Sequence, residues 1–180
     1  MYTINQGVRL LLCLCFFLAP VFLVAQEDPE ANLKKAGIAL PEMSRPVANY
    51  VKYVRTGNLV FLSGHGPKHA NGDDITGKLG VDVSIDQGYA AARACGIQLL
   101  STLKDACGGD LRKVKRIVKV LGMVNCSADF TQQPKVMNGF SDLMVAVFGE
   151  RGKHARSAVG MNALPNNIVV EIEMVVEIEN

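Results

Sequence analysis

Val169-Val170-Glu171-Ile172-Glu173-Met174-Val175-Val176-Glu177-Ile178-Glu179 is the stretch that decides how this chain folds. Val170, Ile172, Met174, Val176 and Ile178 recur at every second residue, while Glu171, Glu173, Glu177 and Glu179 fall between them. A period of two describes a strand with one apolar and one charged face. The apolar face needs a cover. Immediately upstream, Arg156 to Leu164 reads as the first arm of a hairpin whose second arm is Ile168 to Ile178. Alternation on the first arm sets Arg156, Ala158, Gly160 and Asn162 on the uncovered face, together with the glutamates.

Two amphipathic helices supply the cover. Ser84-Ile85-Asp86-Gln87 has the form of a capping box, and the helix it opens runs to about Ala106. Tyr89, Ala92, Gly96, Leu99, Leu100 and Leu103 share one helical stripe, and Gly108-Gly109 ends it. Pro134 to Phe148 is the second helix, stopping at Gly149. Between the helices, Arg116 to Val124 is β-branched and apolar, a buried strand with Val118, Val120 and Val124 in alternating register. Tyr50 to Arg55 and Leu59 to Ser63 are strands around a turn at Thr56-Gly57-Asn58. The order β-β-α-β-α-β-β predicts an α/β (α+β) domain, a mixed sheet of four or five strands with both helices on one face. The other face, partly apolar and partly charged, is either solvated or covered by another subunit.

The amino terminus reads differently. A polar start with Arg9, an apolar run from Leu10 to Ala25 and an abrupt break at Gln26-Glu27-Asp28-Pro29-Glu30 describe a secretory signal peptide over residues 1–25. The run falls short of the roughly 18 apolar residues of a spanning helix, and Pro20 interrupts it. Cleavage near Ala25 predicts an exported protein, periplasmic or secreted, with no membrane attachment; an uncleaved anchor is the alternative. Residues 26–45 form a lead-in segment with a short helix between Glu27 and Leu40, and residues 46–180 form the domain.

Composition narrows the function. The 19 Lys and Arg residues stand against 17 Asp and Glu, so no basic excess drives phosphate-backbone binding. Lys113, Lys115, Arg116 and Lys119 cluster at the head of a strand, but without interleaved aromatics, and the chain has no Trp. Nucleic acid is therefore not an expected partner. Cys95, Cys107 and Cys126 lack metal-ligand spacing and read as small buried hydrophobes, although an exported chain could oxidise one pair. No pair of histidines has metal spacing, and Asp73 and Asp74 lack the ligand series of a calcium loop. No metal site is expected.

The chemistry-bearing residues lie in the last third. In His154-Ala155-Arg156-Ser157-Ala158-Val159-Gly160, an arginine opens an apolar strand. Guanidinium offers two parallel donors to two carboxylate oxygens, so Arg156 is placed to hold a small acid. Glu171 on the next strand adds a proton acceptor. The competing readings are a strand-end salt bridge for Arg156 and a lysine-paired outward residue for Glu171. His65 is a candidate substrate contact or a solvated loop residue, and His154 a candidate at the cleft mouth. His69 belongs to a solvated loop.

Four segments then resemble one family. They are Arg55-Thr56-Gly57-Asn58-Leu59-Val60-Phe61-Leu62-Ser63-Gly64; the alanine-rich helix near Ala90 to Gly96; Val136-Met137-Asn138-Gly139; and His154 to Val159 with Leu164-Pro165 and Val170-Glu171-Ile172-Glu173. Together they resemble the reactive intermediate deaminase family, also called RidA, YjgF-like or L-PSP. The resemblance implies a chorismate-mutase-like fold assembled as a homotrimer, with three clefts between subunits. It implies hydrolysis of 2-imino or enamine acids to 2-oxo acids and ammonia without a cofactor. The partner is then a small carboxylate-bearing imine or oxo acid. By motif, Arg156 matches the carboxylate-binding arginine and Glu171 the glutamate that activates water. Tyr50, Ser63 and Asn138 match further substrate-binding positions. Ala158 stands where the family often carries cysteine, and His65-Gly66-Pro67 replaces its usual glutamine and aliphatic residue, which marks a divergent branch. A non-catalytic trimeric binder of small carboxylates is the alternative function.

Overall fold

The alternating stretch is a strand at the centre of the sheet in the computed structural model, which describes residues 27–179 apart from 45 and 47. The expected signal segment, residues 1–25, lies outside the described residues. In chain order the elements are α1 (Pro29–Lys35), β1 (Tyr53–Thr56), β2 (Leu59–His65), α2 (Ile85–Ala106), β3 (Val114–Asn125), α3 (Gln133–Phe148), β4 (Ala155–Met161) and β5 (Val170–Ile178). Helix α1 realises the short lead-in helix: the Asp28 side chain caps it at Glu30 N, Pro29 takes the first turn, and Leu33 is buried. No helix among the described residues is long and apolar enough to cross a membrane.

Local signals set the helices. Both bonds of the capping box form on α2, Gln87 N to Ser84 Oγ at 3.2 Å and Ser84 N to Gln87 Oε1 at 2.8 Å. Such a cap stabilises a helix by about 1 kcal/mol. Ala92, Leu99, Leu100 and Leu103 of its stripe are fully buried against β5 and β2. Helix α3 adds Val136, Met137, Phe140, Leu143 and Met144 to the same core. All five apolar positions of β5 are buried beneath the helices. Each fully buried Leu or Phe side chain contributes roughly 1.5–3 kcal/mol.

The sheet has five strands in the order β1-β2-β5-β3-β4. The expected hairpin between Arg156–Leu164 and Ile168–Ile178 does not form: β4 pairs with β3 in parallel, and β5 lies between β2 and β3, antiparallel to both. The reason is topological. A crossover from β3 through α3 delivers β4 beside β3 in parallel. The chain then steps over the end of β3, where Asn125 N donates to Val169 O at 3.0 Å and Asn125 Nδ2 to Asn167 Oδ1 at 2.9 Å. That step brings β5 to the other edge of β3, where both its edges find partners and its apolar face lies under both helices.

Register shifts between Ile117 and Lys119, so the core face of β3 carries Val114, Ile117, Val120 and Val124 rather than an unbroken alternation through Val118. Arg156 pairs with Val120, and Val120 with Met174, both of them core residues. Directly paired residues share a face. Arg156, Ala158 and Gly160 therefore sit on the helix side, not among the glutamates. Cys95, Cys107 and Cys126 are free and buried, as small hydrophobes should be.

The helices approach closely at Gly139, where an added Cβ would strike the backbone carbonyl of Tyr89. Backbone cannot swing aside as a side-chain tip does. Gly139→Ala should therefore destabilise the fold by about 1–3 kcal/mol, the usual cost of overpacking. Urea unfolding measures it, and an unchanged midpoint would show that α2 and α3 separate freely.

Candidate functional site

The expected site residues fall into two groups on opposite faces of the sheet. Arg156 shares the helix face with Val120, whereas Glu171 pairs with Met123, and Met123 with Val159, on the open face. One chain therefore holds two half-sites.

The first half-site is cationic. Arg156 Nη1 donates to Asn138 Oδ1 at 3.1 Å and to Ser141 Oγ at 2.8 Å, and Nη2 donates to the Pro134 carbonyl at 3.3 Å. Asn138 and Ser141 are three residues apart on α3, so they present neighbouring side chains to the strand. His154 Nδ1 donates to the Gly152 carbonyl at 2.7 Å, which leaves Nε2 as acceptor for the Ser141 hydroxyl at 3.1 Å. Desolvation lowers the His154 pKa, with Arg156 adding to it against the Gly152 bond. The imidazole is therefore held in its neutral form, with Nε2 accepting the Ser141 hydrogen bond. Every contact to Arg156 is a neutral oxygen, and no ion pair among the described residues includes it. A strand-end salt bridge is not what this arginine makes.

The second half-site is a cleft of about 420 Å³ lined by Tyr50, Lys52, Gly64, His65, Ile168 and Glu171 among others. Glu171 is half-buried, and no ion pair among the described residues includes it either. Burial raises its pKa, and the like charge of Glu173 raises it further. Gly64 leaves the room that the Glu171 carboxylate occupies, since an added Cβ would overlap the carboxylate and push it aside. Ser63 N and Oγ both bond the Lys52 carbonyl, at 3.0 and 3.1 Å, so this serine pins β2 to the incoming segment. The His65 ring is 5% exposed, with Nδ1 donating to Ser63 O at 2.7 Å and Nε2 accepting from Thr102 Oγ1 at 2.8 Å. Burial, outweighing the Ser63 bond, lowers its pKa. His65 thus braces the cleft floor as a neutral ring. Tyr50 is 45% exposed at the rim, its ring 5.8 Å from Lys52 Nζ.

The structure thus joins Arg156 with Asn138, and Glu171 with Tyr50 and His65, but not the two sets with each other. Two contributors escaped sequence reading. Ser141 carried a helical i,i+3 signal from Asn138. Lys52 lies two residues after Tyr50, the spacing that puts two side chains on one side of an extended segment.

A family model described as "YjgF/chorismate_mutase-like, putative endoribonuclease" matches residues 30–178. The chain belongs to the YjgF/chorismate mutase-like family. It is 46% identical over 158 residues to the protein TCP17 of Trypanosoma cruzi, covering 87% of this chain and 98% of that one. Its fold is similar to the crystal structure of Atu1372 from Agrobacterium tumefaciens, a protein of unknown function, with a TM-score of 0.77 and 41% identity over 84% of this chain and 94% of that one. It is more distantly similar to RidA from an Antarctic Psychrobacter, with a TM-score of 0.53 and 25% identity over 76% and 94% of the two chains. The two scores place this YjgF-like chain nearer the Atu1372 form than the RidA form.

The Arg156–Ser141–His154 chain gives a specific expectation. Ser141→Ala removes one neutral hydrogen bond that orients the guanidinium, worth about 0.5–1.5 kcal/mol. On the expectation that Arg156 holds a small acid, affinity for 2-oxobutyrate should drop by roughly two- to tenfold, read by isothermal titration calorimetry. Unchanged affinity would show that Asn138 and Pro134 suffice to hold Arg156.

Proposed function

We propose that this YjgF-like protein hydrolyses 2-imino and enamine acids to 2-oxo acids and ammonia in clefts between the subunits of a homotrimer. One observation carries the reading. The half-site with an unpaired arginine and the half-site with an unpaired, partly desolvated carboxylate lie on opposite faces of one chain, and each lacks what the other has. A neighbouring copy can bring them together. The open face is suited to that contact: Val54, Phe61 and Val159 are 56%, 44% and 38% exposed there, beside a hollow lined by Leu121 and Val175.

The chemistry follows from the groups. Arg156 of one copy binds the substrate carboxylate through two parallel donors and orients C2. Glu171 of the next copy takes a proton from water as the water oxygen bonds to C2 and the C=N π bond opens, and it passes that proton to the nitrogen. In the resulting carbinolamine Glu171 takes the hydroxyl proton as the carbonyl forms and delivers it to the departing nitrogen, so ammonia leaves and the carboxylate is regenerated. The imine carbon is already electrophilic, so the residues named here suffice for the step. An RNA-cleaving role is less well supported, because the basic cluster is engaged within the fold. Lys115 and Arg116 pair with Glu177, Lys113 bonds the Cys107 carbonyl, and Lys119 bonds Ser157.

The test is ammonia release from 2-iminobutyrate and 2-aminoacrylate, generated in situ, by purified protein of trimeric mass in sedimentation equilibrium. A trimer that binds 2-oxobutyrate without accelerating hydrolysis would make this a carboxylate-binding protein. A clean monomer at micromolar concentration would remove the shared cleft altogether.

A further inference from the structure

The cleft beside Glu171 contains two lysines, and their charges are not in the same state. Lys68 Nζ is held by Asp74 Oδ1 at 2.8 Å and by the Gly72 carbonyl at 3.1 Å, so its charge is balanced within the protein. Lys52 is half-buried, lines the same cleft, and takes part in no ion pair among the described residues. Its ammonium stands over the Tyr50 ring at 5.8 Å, a weak partner beside a carboxylate. The remaining acid lining this cleft is Glu171, and no ion pair among the described residues joins it to Lys52. A half-buried cation without a counterion in a cleft of about 420 Å³ is arranged for an anion brought in by the ligand.

We propose that Lys52 is a specificity-determining residue that binds a second carboxylate, so that the preferred ligands are the 2-imino and 2-oxo forms of acidic amino acids, four- and five-carbon dicarboxylates. The assignment rests on the shared-cleft reading above: Arg156 of the neighbouring copy takes the carboxylate next to the reacting carbon, and Lys52 takes the distal one. Tyr50 forms the wall along which the intervening methylenes lie. The reaction that supplies such a substrate is a two-electron oxidation of the Cα–N bond of an acidic amino acid, the oxidant belonging to the upstream enzyme.

Calorimetric titration of the full trimer with oxaloacetate and 2-oxoglutarate, against 2-oxobutyrate and 2-oxopentanoate, tests the assignment. The dicarboxylates should bind on the order of tenfold or more tightly, the range of one charged hydrogen bond. Lys52→Met should abolish that preference, bringing the dicarboxylates down to the affinity of the monocarboxylates. Lys52→Arg should restore most of it, and both variants should melt close to the wild type, since the Lys52 side chain makes no hydrogen bond or ion pair among the described residues beyond its weak contact with the Tyr50 ring, while its backbone carbonyl keeps the bonds to Ser63. Wild-type protein without a dicarboxylate preference, or a preference that survives Lys52→Met, overturns the proposal. The hydrolase reading is scored separately, by ammonia release from imines of aspartate and of a neutral amino acid. Hydrolysis without dicarboxylate selectivity sinks the Lys52 assignment alone, whereas selective binding without hydrolysis sinks the deaminase reading alone.

Discussion

Glu171→Gln should lower imine hydrolysis by about a hundredfold or more while leaving the affinity for 2-oxobutyrate nearly unchanged. The amide keeps the shape of the side chain beside Gly64 but cannot accept a proton from water, and general-base catalysis is worth roughly 10²–10⁴ in rate. The pH dependence has a definite sign. The reactive form is the carboxylate, and burial together with Glu173 holds its pKa above the ordinary value. Activity should therefore fall as pH is lowered through that raised pKa, and this acidic limb should vanish in the variant. Stability runs the other way for this group. Between the unfolded and the raised folded pKa, the native state binds more protons than the unfolded state. Ionising Glu171 as pH rises through that window therefore weakens the fold. Glu171→Gln should melt no lower than wild type at neutral pH. A variant that retains full turnover would move the base elsewhere, and one that melts lower while losing activity would be reporting damage to the fold.

Arg156→Ala should abolish both binding and turnover, because the clamp is needed before any chemistry. Each charged hydrogen bond to the substrate carboxylate contributes about 1.5–3 kcal/mol, so losing a bidentate pair costs at least tenfold in affinity, and commonly far more. Arg156→Lys should recover only part of this, since an ammonium cannot present two parallel donors. The two variants together examine the division of the site. Arg156→Ala and Glu171→Gln are each inactive alone, but in mixed trimers some clefts receive Arg156 from one chain and Glu171 from the other. Random assembly of equal amounts should restore about a quarter of wild-type activity, as independent pairing of two halves across a symmetric interface requires. No recovery in verified mixed trimers would place the working Arg156 and Glu171 in a single chain, against the opposite faces they occupy here.

Neighbours along the chain were enough to specify several local features. The alternation from Val170 to Ile178 made β5 a strand with one face to bury. The Ser84–Gln87 box marked the first residue of α2, because capping bonds span only three residues. The quoted motifs singled out Arg156 and Glu171 as residue types suited to binding an acid and moving a proton. Strand order was not local. Adjacent strands joined by a short link usually pair, yet β5 passed over the end of β3, because pairing on both edges beneath both helices buries more than an edge hairpin would. That choice also decided the face of Arg156, since alternation tells which residues face together but not which way the set faces. The bulge between Ile117 and Lys119 broke the alternation of β3 for the same reason: register belongs to the pairing, not to the strand. The separation of cation and carboxylate, the neutral bracing of His65 by Thr102, and the unpaired charge of Lys52 are likewise products of packing between segments far apart in sequence. No signal along the chain carries them, because each depends on which distant segments meet.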